Sequence, residues 1–154
     1  MTSEERRLIA AHRSDQRFLD GIARSGRADI PLDDPLLSTT RVVLLGHSGA
    51  DLRCQPDLYA YLRHPKFVGA WWLVHVTASR LVVRLPARSR VAAVFAWDVR
   101  TARLAGHDAG ACEATLHVAS NVIGVRAASA AEMHAMRVAV RSASRARLGW
   151  IEPA

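Results

Sequence analysis

Apolar and polar side chains alternate most regularly over residues 71–85, WWLVHVTASRLVVRL. With Ala78 and Ser79 as a two-residue loop, Trp72 faces Leu85, Val74 faces Val83 and Val76 faces Leu81. Cross-strand partners share a sheet face and neighbours along a strand point to opposite faces. The six apolar groups therefore fall together, and His75, Thr77, Arg80, Val82 and Arg84 turn the other way. This predicts an antiparallel hairpin with one dry face and one mostly polar, solvated face. On that register Val74→Asp or Val83→Asp unfolds the domain, whereas His75→Asp is tolerated.

A second period appears at both ends of the chain. Residues 3–25 predict a helix with Ser3 as N-cap, Glu4 and Glu5 in its first turn, and Gly26 as its stop. Leu8, Ile9, Phe18, Leu19 and Ile22 form its apolar stripe, interrupted by His12 and Asp15. Residues 129–147 predict a second helix, opened by a capping box in which Ser129 and Glu132 satisfy each other's orphan amides. Its buried stripe is Met133, Met136, Val140 and Ala143, while Arg137, Arg141 and Arg145 line a different face.

Between the helices the chain reads as strands and turns. A connector at 26–38 gathers Asp29, Pro31, Asp33, Asp34 and Pro35. A β-branched strand follows at 39–45, then a turn at 46–50 and a short returning strand at 51–54. Residues 57–63, bracketed by Pro56 and Pro65, fit a helical turn or an edge strand. Beyond the hairpin come a basic loop at 86–90 and β-rich residues 91–104 bent at Trp97-Asp98. A turn at 106–110 precedes an alternating strand at 112–118, a turn at Ser120-Asn121 and a last strand at 122–126.

Leu73-Val74-His75-Val76-Thr77-Ala78-Ser79-Arg80-Leu81-Val82-Val83 is a strand ending in threonine, a tight turn, and an apolar return strand opened by arginine and leucine. In this, in Ala96-Trp97-Asp98-Val99-Arg100, and in the final hairpin and helix over 116–140, the chain resembles the pleckstrin-homology-like superfold, in particular bacterial PH-like and GRAM-like domains. The resemblance covers roughly residues 38–147. It implies an α+β fold: a bent antiparallel β-sandwich or partial barrel capped by a C-terminal helix, with an extra N-terminal helix outside it. The division that follows is 1–37 for the N-terminal helix and connector and 38–150 for the PH-like barrel with its capping helix. Such folds mostly host lipid, peptide or protein binding, which is an analogy of fold and not a property of these residues.

Composition changes the picture in two respects. At 154 residues and 50% apolar, the chain is long enough for one packed core. Its net charge is +7, carried almost wholly by arginine, with Lys66 the only lysine. Such a charge attracts nucleic acid, anionic lipid or an acidic protein, and equally fits a solvated surface. No apolar run approaches the roughly 20 residues that span a bilayer. Residues 1–7 lack the apolar segment of a secretory signal, so a cytoplasmic protein is expected. Cys54 and Cys112 have no second cysteine nearby and are expected as reduced thiols.

The candidate chemistry is thin. Residues 42–50, VVLLGHSGA, match the strand–Gly-x-Ser-x-Gly pattern of a hydrolase nucleophile elbow, with Ser48 as nucleophile. The elbow must open a helix, and Pro56 breaks the chain too soon for that. His12, His47, His64, His75, His107, His117 and His134 lie in separate elements without metal-ligand spacing. Two arginine groups remain: Arg80, Arg84, Arg88 and Arg90 on the hairpin and its loop, and Arg137, Arg141 and Arg145 on the helix. The helix row is also explained by the macrodipole, which favours cations in the last turns. Trp71, alone among the aromatics of these strands, points away from the predicted core and offers an anchor for the first helix or a partner.

The expectation is therefore a binding or scaffolding module without catalytic, metal or cofactor site, recognising a protein partner or an anionic membrane surface. A nucleic-acid-binding accessory protein is the first alternative and a small serine hydrolase using Ser48 the second. Self-association through the N-terminal helix is a further expectation.

Overall fold

The computed structural model describes residues 1–48, 67, 69–86, 93–106 and 112–151, with backbone alone at 46–48 and 145–151. Among these, α1 (Ser3–Ser25) precedes β1 (Leu36–Ser48), β2 (Trp71–Thr77), β3 (Arg80–Leu85) and β4 (Ala93–Asp98). A single 3₁₀ turn, Val99–Thr101, leads to β5 (Arg103–Gly106), β6 (Glu113–Val118), β7 (Asn121–Ala127) and α2 (Ala130–Ile151). The strands form one antiparallel sheet in the order β4-β3-β2-β1-β7-β6-β5.

The central hairpin has the register its alternation predicts, with Val74 opposite Val83 and Val76 opposite Leu81. Inward residues of β1 to β4 share one core with Ala114, Leu116, Ile123 and Val125 of β6 and β7 and with Met133, Met136 and Val140 of α2. Strands far apart in the sheet can meet in one core only if the sheet curls, and α2 closes the space it encloses. The predicted helical stripe, Met133, Met136, Val140 and Ala143, is the buried one. Ser129 Oγ accepts the Glu132 amide at 3.1 Å, and its hydroxyl lies 3.3 Å from Glu132 Oε2, so the box closes through side chains.

Several local expectations are corrected. Thr2, not Ser3, caps α1: its hydroxyl accepts the Glu5 amide, and the Glu5 carboxylate accepts the Thr2 amide. The shift is physical, because the reciprocal box needs glutamate at the third helical position, and only Thr2 has one there. Gly26 ends the helix at φ +71, as expected. The first strand starts earlier and continues through residues 46–48, which pair with Gly124, Ile123 and Val122 instead of turning. Long-range pairing with β7 outweighs the local turn signal of Gly46. The β6–β7 turn uses Ala119 and Ser120, both left-handed at φ +47 and +68, while Asn121 already pairs with Val118. The short strand at 51–54, the ambiguous element at 57–63 and most of the basic loop lie outside the described residues.

The largest correction concerns the second face of the hairpin. His75, Thr77 and Val82 are fully buried, not solvated. Leu19 and Ile22 of α1 pack with Ile30, Leu36 and Val82 into a second apolar cluster against that face. The tolerance expected for His75→Asp rested on a solvated face and falls with it. The first half of α1 is not so engaged: Leu8 and Ile9 remain exposed. No helix among the described residues is long and apolar enough to cross a membrane.

Candidate functional site

Polar groups trapped between α1 and the sheet must find partners there, and they do. Arg84 Nε donates to His75 Nε2 at 2.8 Å, and Arg84 Nη2 donates to Asp15 Oδ1 at 3.1 Å. A guanidinium only donates, so His75 Nε2 accepts, Nδ1 carries the proton and donates to Thr39 Oγ1 at 2.9 Å. The Phe18 ring covers the Arg84 guanidinium, 3.8 Å from centroid to Cζ. Burial first, and the Arg84 charge second, push the His75 pKa down to about 3. With both ring nitrogens engaged, His75 is a neutral internal staple and presents no free base.

The connector is tied down in the same way. Thr77 and Ser79 hydroxyls donate to the buried Asp34 Oδ2 at 2.5 and 2.7 Å. Arg80 Nε donates to the Asp29 carbonyl at 2.8 Å, and its Nη2 lies 3.3 Å from the Asp29 carboxylate. The structure thus gives both Arg80 and Arg84 a carboxylate of the N-terminal segment, while Arg80 Nη1 and Arg84 Nε donate within the hairpin, to the Ser79 carbonyl and to His75. Arg88 and Arg90 lie outside the described residues.

The helix row is disposed differently. Arg137 and Arg141, with Val140 and Ser144, face Ala102, Arg103 and Leu104 across a cavity of about 250 Å³ between α2 and β5. Leu104 belongs to the margin of the main core, so the cavity has an apolar floor and a cationic rim. β5 is an edge strand; among the described residues only β6 pairs with it. Ser144 Oγ donates to the Val99 carbonyl at 3.2 Å, pinning α2 to the turn that delivers β5. The Arg137 guanidinium lies against Gly106: a Cβ there would sit 3.2 Å from Nη2. The backbone of Arg145 continues α2, and its side chain is outside the description. Sequence spacing found Arg137 and Arg141; it missed Arg103, Leu104 and Gly106, which only the α2–β5 packing brings to them.

A second groove separates the other flank of α2 from the start of β1, lined among others by Leu37, Thr39, His134 and Val138. It carries no arginine. Ser48 lies within the β1 ladder opposite Val122, an extended backbone unlike the strand-to-helix elbow a hydrolase nucleophile requires. Among the described residues no three His, Cys, Asp or Glu side chains gather as a metal site. His47 has only its backbone described, and His64 and His107 lie outside the described residues, as does Cys54; Cys112 is a free, half-buried thiol. Trp71 is 46% exposed, with Arg41 5.6 Å from its ring centroid.

The chain matches no protein-family model and no curated protein. Among solved structures it is similar to an N-terminally truncated linker-DH/PH chain of p115-RhoGEF, with TM-score 0.56 and 8% identity. That match covers 88% of this chain and 41% of that one. It also aligns with the C-terminal phosphotyrosine interaction domain of mouse APBB2, over 74% of this chain and 90% of that one, with TM-score 0.41 and 15% identity. At such identity the likeness is one of fold. The curled seven-stranded antiparallel sheet with its closing C-terminal helix is a PH-like α+β fold.

Proposed function

We propose that this chain is a non-catalytic binding module that takes an extended segment of a protein partner along the outer edge of β5, against α2. The observation that carries this reading is the coincidence of a strand edge that no described residue pairs with and an apolar-floored groove rimmed by Arg103, Arg137 and Arg141. An edge strand offers main-chain donors and acceptors to an added strand, and alternate side chains of that strand drop into the groove beside it. An anionic membrane surface is the weaker reading, because Arg80 and Arg84, the two described members of the hairpin group, already face Asp29 and Asp15.

The test is to select peptides from a random library against the full chain and map the bound peptide by amide chemical shifts. Perturbations concentrated at residues 102–106 and 137–144 are expected. Perturbations centred on the central hairpin, or binding to vesicles of anionic lipid without any peptide binding, would overturn the groove as the site.

A further inference from the structure

We propose, on the groove reading above, that Arg137 is an anion receptor within it: it holds an acidic side chain carried by the docked strand. Arg41, Arg80, Arg84, Arg100 and Arg126 each have a carboxylate oxygen within 3.9 Å. Arg137, like Arg103 and Arg141, has none among the described residues; what sets it apart there is an Nε that is buried and without a hydrogen-bond partner. A buried N–H of a charged group left unsatisfied is costly, and native folds seldom leave one without a use.

The guanidinium is also held in place. Gly106 lets it lie close to the β5 backbone: a Cβ there would sit 3.2 to 3.4 Å from Nη2, Nη1 and Cζ, so the guanidinium would have to give by a few tenths of an ångström. Val140 and Leu104 line the same cavity, so an entering anion meets apolar surface beside the guanidinium. Arg103 and Arg141 stand at the rim of the same cavity and raise the local positive potential without competing for the enclosed position. A planar fork with several parallel donors suits a carboxylate or a phosphate, and charge-assisted bonds are the strong ones. The shared chemistry is an anionic side chain, either aspartate or glutamate, or a phosphorylated residue.

Peptides selected on the full chain separate the two levels of the reading. A fixed acidic position among the enriched peptides is expected, and replacing that Glu by Gln should weaken binding about ten-fold or more. Phosphoserine at that position then distinguishes the sources: tighter binding than Glu assigns a phosphate, weaker binding a carboxylate, and both support the receptor. Arg137→Gln should bind the Glu and Gln peptides equally. Arg137→Lys, which keeps the charge but loses the planar fork and its Nε–H, should narrow the same difference, and it serves if Arg137→Gln lowers the melting temperature too far to assay. Groove-bound peptides with no acidic preference, or a Glu-to-Gln difference unchanged in the variants, would overturn the receptor and leave the groove standing. No enrichment, or binding mapped elsewhere, would overturn the groove and the receptor with it.

Discussion

A histidine enclosed beneath a helix and facing an arginine has every reason to stay neutral, and His75 does. Its pKa near 3 lies below the unfolded value of 6.5, so the unfolded chain takes up a proton that the folded chain refuses. The stability linked to His75 is therefore complete above pH 6.5 and is lost as pH falls towards 3, at about 1.4 kcal/mol per pH unit. Urea unfolding of wild type and His75→Leu should show this as a gap of about 2–4 kcal/mol at neutral pH that closes on acidification. A gap of constant size between pH 7 and 4.5 would contradict it. The alternation of residues 71–77 marked His75 as facing away from the core. It carried no information about what covers the other face, because the nearest such residues are in α1, and Asp15 lies 69 positions from Arg84.

At the scale of elements, α1 joins the folding unit through the apolar packing of its second half and the contact of His12 Nε2 with the Leu36 carbonyl at 3.0 Å. Leu19→Ala and Ile22→Ala should each lower stability by about 2–4 kcal/mol, within a single cooperative transition monitored by circular dichroism. A separate, earlier transition for α1 would show the helix to be an appendage. The β6–β7 turn offers the opposite experiment. Ser120 sits at φ +68, where a side chain costs about 1–2 kcal/mol and glycine costs little. Set against the added freedom of the unfolded glycine chain, Ser120→Gly should still gain about 0.5 kcal/mol, visible as a raised melting temperature. The sequence located this hairpin one residue late, since it favoured asparagine in the turn. Asn121 instead donates from Nδ2 to the Val118 and Ala119 carbonyls, closing the turn from inside the strand. Helix α2, by contrast, was legible from its start through its buried stripe, because its cap and its apolar period agree with each other, though it runs on to Ile151, past its expected end at 147.

For the whole molecule, a charge of +7 invites polyanions, whereas the proposed groove takes one anionic side chain. A segment held by an apolar groove and one anion contact should lose less than about three-fold in affinity between about 50 and 200 mM salt. A nucleic acid engaged through several phosphates loses about 10³–10⁵-fold over that range. Dissociation constants for a selected peptide and for duplex DNA at the two salt concentrations decide between them.

The sequence by itself determined the register of the central hairpin, the buried stripe of α2 and the antiparallel character of what lies between. These follow from periods of two and 3.6 residues, which are written locally and survive in any tertiary setting that buries one side. Only the tertiary structure decided which of the described arginines pair with a carboxylate and which do not. Charge pairing depends on elements far apart in the chain: α1 folding over the hairpin gives Arg84 its aspartate, while α2 closing on β5 leaves Arg137 Nε buried without a partner.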